Sequence, residues 1–178
     1  MDIVEGKWFE YTKDGDGNLV YKGRVIPQVL ADRVYGEYVL EGDEEKTVEV
    51  NLREVYFDLW DNKENCFFLT AIDEELGLKV QVVGKGLAAG ITHQITGEWP
   101  EASAMFRLRG LADEYNRSTE ALGEIFFRFV ENYGKVARVE GNFRFSLNFA
   151  KAGEDFTLKV TFRCNNFSVE SKNYQELH

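Results

Sequence analysis

Phe143-Arg144-Phe145-Ser146-Leu147-Asn148-Phe149 places an apolar residue at every second position. Successive side chains of an extended strand point to opposite faces, so this run has one apolar face and one polar face. The alternation returns in Phe156, Leu158, Val160, Phe162 and Cys164, set against Thr157, Lys159, Thr161 and Arg163. It resumes in Phe167 and Val169, against Ser168 and Glu170. Reading Asn165-Asn166 as a two-residue turn sets Cys164 opposite Phe167 and Phe162 opposite Val169. Reading Ala150 to Asp155 as a symmetric loop sets Phe149 opposite Phe156 and Phe145 opposite Val160. Every apolar residue then shares one face, the condition under which register is strongly specified. The expectation is a three-stranded meander whose apolar face needs a cover.

Residues 111–133 offer one. Leu111, Tyr115, Leu122, Ile125, Phe126, Phe129 and Tyr133 fall on a single stripe at three- and four-residue spacing, which predicts a helix. Gly134 suits its left-handed cap, and Glu124 and Arg128 stand four apart in the favourable order.

The first hundred residues read as strands and turns. Trp8 to Tyr11 and Leu19 to Tyr21 flank Asp14-Gly15-Asp16-Gly17-Asn18, a hairpin signal. Val34 to Leu40 is an aromatic and β-branched run closed by the acidic turn Glu41 to Glu45. Val48, Val50 and Leu52 alternate, and Val55, Phe57 and Leu59 alternate in the opposite phase. A bulge near Arg53-Glu54 reconciles the two as one strand, although Val48, Leu52, Val55 and Leu59 also fit a helix. Further strands are expected over Cys66 to Ile72, Leu78 to Val83 and Ala102 to Leu108. The fold class expected is α+β: mostly antiparallel strands in a sandwich or open barrel, with one main helix packed on the C-terminal meander. Residues 1–178 form one domain in this reading, with an internal seam near 84–100, where Trp99-Pro100 is a candidate cis bond.

Composition narrows the function classes. The 178 residues carry 21 Lys and Arg against 31 Asp and Glu, a net charge of −10. Residues 1–89 hold 10 basic and 19 acidic side chains, and residues 90–178 hold 11 and 12. Seven of the ten arginines lie in the second half. An acidic chain repels nucleic acid at long range, yet this polarity leaves room for a local arginine surface. Apolar residues at 44% exclude a disordered chain, and two cysteines exclude a disulfide scaffold. Cys66 and Cys164 sit in apolar runs and read as reduced, buried thiols. The N-terminus lacks a signal-peptide pattern and no run is long enough to span a membrane as a helix, so a cytoplasmic, soluble protein is expected.

Motifs are sparse. Gly84-Lys85-Gly86-Leu87-Ala88-Ala89 matches G-x-G-x-x-A, but a dinucleotide site needs a helix behind the glycines, and Ile91 to Gly97 is β-branched. Asp14, Asp16 and Asn18 resemble a calcium loop that lacks its glycine and glutamate, since Leu19 and Val25 occupy those places. No zinc-ligand spacing and no nucleophile elbow occur. No catalytic residue, metal or cofactor is therefore assigned, and the protein is not expected to be an enzyme. The leading expectation is a non-catalytic protein-binding module, structural, assembly or inhibitory, with a protein partner or self-association as a homo-oligomer. Two alternatives stand beside it. One is a small-molecule or enzymatic cup lined by His93, Glu98 and Trp99. The other is single-stranded nucleic-acid binding through Arg107, Arg109, Arg144, Lys159 and Arg163, although such faces usually add exposed aromatics for stacking.

Overall fold

A computed structural model describes residues 12–13, 15, 19–21, 24–25, 32–60, 66–97, 102–111, 115–117, 120–133, 136–151, 153 and 157–170. The described chain is almost entirely antiparallel β-structure. Its strands are β1 (Thr12–Lys13), β2 (Leu19–Tyr21), β3 (Arg24–Val25), β4 (Arg33–Glu41), β5 (Glu45–Leu52), β6 (Glu54–Trp60) and β7 (Cys66–Asp73). They continue as β8 (Leu78–Gly84), β9 (Thr92–Ile95), β10 (Ser103–Arg107), β11 (Tyr115–Arg117), β12 (Leu122–Tyr133), β13 (Val136–Lys151) and β14 (Thr157–Glu170).

Three sheets result. β1, β2 and β3 form a small meander, with Gly15 between β1 and β2, and the strand expected over Trp8 to Tyr11 lies outside the described residues. A four-stranded sheet runs β10-β8-β7-β6. A seven-stranded sheet runs β5-β4-β14-β13-β12-β9, with β11 also pairing β13. The two larger sheets face each other through aromatic rings. Phe127 of one meets Phe67 of the other edge-on at 4.9 Å and Phe57 at 6.4 Å. Tyr38 meets Phe106 at 5.6 Å, and Phe106 lies 6.4 Å from Phe162. Such edge-to-face pairs add to the burial of large apolar area. Ile95 bridges Ala102 in parallel and so stitches the β9 edge to the β10 edge. Segment 85–91 carries the chain from the smaller sheet to the larger, and strands from both halves of the sequence contribute to each.

The sequence expectation of an α+β fold with a main helix over 111–133 is overturned. That segment holds β11 and the twelve-residue strand β12. Ala121, Ile125, Phe127 and Phe129 are buried, whereas Leu122 is 64% exposed and Phe126 is half-buried. The buried set repeats every two residues, and the helical stripe through Leu122 and Phe126 was coincidental. β13 explains the outcome. Its long edge needs a hydrogen-bonded neighbour, and β12 supplies eleven paired residues from Leu122↔Ser146 to Tyr133↔Val136. A helix there would leave that edge unpaired. The aromatic and β-branched run Ile125 to Val130 also suits a pleated surface.

Two further expectations change in detail. Phe143, Phe145, Leu147 and Phe149 are buried on one face as read. The β13–β14 register is Phe145↔Phe162 and Phe149↔Leu158, two residues from the expected pairing, so the faces are preserved. Asn165-Asn166 is not a turn. β14 runs through it, with a register shift between Cys164 and Asn166. Conversely, the phase change at Arg53 is not a bulge within one strand. β5 ends at Leu52 in the seven-stranded sheet and β6 begins at Glu54 in the four-stranded one.

Candidate functional site

The outward positions of the seven-stranded sheet line up across strands. Arg144 of β13 stands directly opposite Arg163 of β14. Arg163 is opposite Glu37 of β4, and Arg144 is opposite Glu124 of β12. Glu37 is in turn opposite Glu49, and Glu124 opposite Gln94. The row therefore reads Glu-Glu-Arg-Arg-Glu-Gln across six strands. Each arginine pairs outward with its own glutamate: Arg144 to Glu124 at 3.4 Å and Arg163 to Glu37 at 3.4 Å. The two arginine side chains are 68% and 57% exposed, so each pair contributes at most about 1 kcal/mol.

The next outward row holds Ser146 opposite Thr161, their hydroxyls 3.0 Å apart. The row after that holds Lys159 opposite Glu41. Together these rows floor an open groove of about 540 Å³, lined also by Gln94, Thr96 and the exposed Leu122. Two glycines let the backbones close in beside the arginines. A Cβ at Gly123 would lie 1.9 Å from the Arg144 carbonyl oxygen, and one at Gly36 would lie 1.9 Å from that of Arg163. No side chain fits at that separation, so only glycine permits the local approach of β12 to β13 and of β4 to β14.

The nucleic-acid candidates are divided by the fold. Arg144, Lys159 and Arg163 share the groove face of the seven-stranded sheet. Arg107 and Arg109 belong to the end of the opposing four-stranded sheet, where Arg107 stands opposite Lys79. The Arg109 guanidinium donates to the Glu74 carbonyl at 2.9 Å and the Glu75 carbonyl at 3.4 Å. Its stem covers Gly77, whose φ of 63° closes the β7–β8 turn. Arg109 is thus a brace of that turn.

His93 lies in β9 with its ring edge-on to Phe67 at 5.4 Å and to Phe127 at 5.8 Å. It packs at the rim of the aromatic core. Glu98 and Trp99, expected beside it, lie outside the described residues, as does the Trp99-Pro100 bond. The glycine-rich stretch after β8 leads by way of residues 85–91 into β9 with no helix behind it. Neither cysteine is in a disulfide, and both are buried. Burial pushes the Cys164 thiol up to about 12, against the lowering effect of backbone hydrogen bonds from Asn166, Phe143 and Tyr35. It is protonated and unreactive at neutral pH. Among the described residues, no group of three or more His, Cys, Asp or Glu is placed to hold a metal ion, and no helix is long and apolar enough to cross a membrane.

No family model, curated protein or solved structure matches the chain. The site therefore rests on its own geometry.

Several groove residues escaped the sequence reading. Glu124 and Leu122 were hidden by the helical assignment of 111–133. Glu37 and Glu41 enter only because β4 pairs with β14, a contact across more than a hundred residues that no local pattern announces. The outward parity of Arg144, Ser146, Thr161 and Arg163 was already legible from the alternation around them.

Proposed function

We propose that the protein is a non-catalytic binding module that docks another protein on the outer face of its seven-stranded sheet. The observation that carries this reading is the groove over β4, β14, β13, β12 and β9. It combines charges of both signs, a hydroxyl pair and a 64% exposed leucine, Leu122. That mixture suits a protein surface, where apolar contact provides affinity and charge provides register. His93 supports the same reading, because its ring is engaged in core packing with Phe67 and Phe127.

Site-specific photo-crosslinking tests it. A photoreactive residue replaces Thr161 in the groove or Leu76, which is 41% exposed on the β7–β8 turn of the other sheet. The expected result is a protein adduct from position 161 alone, competed by unlabelled wild-type protein and not by the Arg144→Glu, Arg163→Glu double variant. Equal adducts from both positions, or no adduct from position 161, would overturn it.

A further inference from the structure

We infer that the groove on the seven-stranded sheet takes an extended acidic peptide segment, one of whose carboxylates sits between Arg144 and Arg163. The inference deepens the docking reading above and rests on it. Like charges directly opposite on neighbouring strands destabilise a sheet. Arg144 and Arg163 are such a pair, and each turns to a glutamate on its far side. Two positively charged side chains thus stand opposite each other on neighbouring strands, beside the Ser146 and Thr161 hydroxyls of the next outward row and lining the same groove. A guanidinium has five donors, so each arginine can keep its glutamate and still donate to a third carboxylate.

Lys159 adds a third cation two residues along β14 from Thr161, and it makes no ion pair within 4 Å among the described residues. The groove crosses five strands from Glu41 on β4 to Gln94 and Thr96 on β9. At about 4.8 Å between strands this is roughly 19 Å, the reach of about six extended residues. An acidic peptide fits better than a nucleic-acid backbone. Glu37, Glu41 and Glu124 share the face with the cations and can accept from peptide N–H groups, donors that a phosphodiester backbone lacks. The one aromatic lining the groove is Phe145, which is buried, whereas strand-tracking sites stack successive bases on several exposed rings.

Calorimetric titration of the full chain at low salt with hexaglutamate, hexaglutamine and a six-nucleotide oligo-dT tests this directly. Hexaglutamate is expected to bind and hexaglutamine is not. Arg144→Gln with Arg163→Gln is expected to weaken hexaglutamate binding by about tenfold or more, since charge-assisted bonds are the strong ones. Lys159→Gln is expected to weaken it by about threefold, as a more distant and solvated charge. Glu124→Gln removes a competing carboxylate and is expected to strengthen binding by about twofold, a gain that a purely structural role would not produce. Unaltered affinity in the double variant, or tighter binding of oligo-dT than of hexaglutamate, overturns the inference. Absence of hexaglutamate binding together with a groove-specific crosslink from position 161 removes the acidic segment and leaves the docking surface.

Discussion

Leu52-Arg53-Glu54-Val55 and Cys164-Asn165-Asn166-Phe167 carry the same pattern: two buried apolar residues separated by two polar ones, where the inward parity of a strand changes. The molecule resolves them differently. At Arg53 the chain leaves the seven-stranded sheet and starts β6 in the other. At Asn165 the chain stays in β14 and absorbs the extra residue as a bulge. The difference follows from position. β5 is the edge of its sheet and is paired only to β4, so leaving it gives up one ladder. β14 is central, flanked by β13 and β4, and leaving it would strip hydrogen bonds from both sides. The bulge is also braced. Arg128 donates to the Asn166 side chain and to the Gly141 carbonyl, and backbone groups of Asn166, Phe143 and Tyr35 reach the Cys164 sulfur. The same extra residue shifts the β13–β14 register between Gly141 and Phe143, and β12 has a register shift of its own against β13 between Phe127 and Phe129. A parity change thus fixes which residues face inward, and the strand's place in the sheet decides whether it becomes a corner or a bulge.

The contrast is broken most sharply by insertion. One glycine added after Asn165 pushes Phe167 and Val169, both fully buried, out of phase with the core and is expected to destabilise by about 3–5 kcal/mol or to prevent folding. The same insertion after Arg53 lengthens a connection between sheets and is expected to cost about 1 kcal/mol. Urea unfolding of the two variants compares them, and equal losses would erase the distinction.

Removing the brace is the next test. Asn166→Ala takes an acceptor from the half-buried Arg128 and is expected to cost about 1–3 kcal/mol. Arg53→Ala, at an exposed corner, is expected to stay within about 0.5 kcal/mol of wild type.

A smaller effect concerns alkaline pH. The folded Cys164 thiol is raised to about 12 from 9.0, so above pH 9 the unfolded chain loses this proton while the folded chain retains it. Stability is then lost as pH rises from about 9 towards 12, and Cys164→Ala is expected to flatten that part of the profile. A thermal-melting series across this range measures it, and an unchanged slope would remove the thiol as its source.

The smallest expected change is in the groove. Arg144→Gln with Arg163→Gln removes exposed ion pairs and relieves a like-charge contact, so stability should move by less than about 1 kcal/mol. That neutrality makes the double variant a clean probe of binding.

These comparisons show what the sequence could convey. The alternation from Phe143 to Phe149 and from Leu158 to Cys164 named the buried face residue by residue, because one-sided burial imprints a period of two. Parity does not state register, so Phe145 was set opposite Val160 when Phe162 is its partner. The segment from Leu111 to Tyr133 misled because aromatics lie on both faces of β12, and Phe126 completes an accidental helical stripe. The arginines of the groove were visible as outward residues. Their glutamate partners were not, since Glu37 and Glu124 arrive on strands whose pairing is set by tertiary structure.

An acidic segment seated on the outer face of the seven-stranded sheet moves amide resonances on that face when hexaglutamate is added to isotope-labelled protein. Shifts concentrated at Glu41, Gln94 to Thr96, Leu122 to Glu124, Arg144 to Ser146 and Lys159 to Arg163 are the predicted result. Shifts concentrated instead at Lys79 and Arg107 on the four-stranded sheet, or no shifts at all, would contradict it.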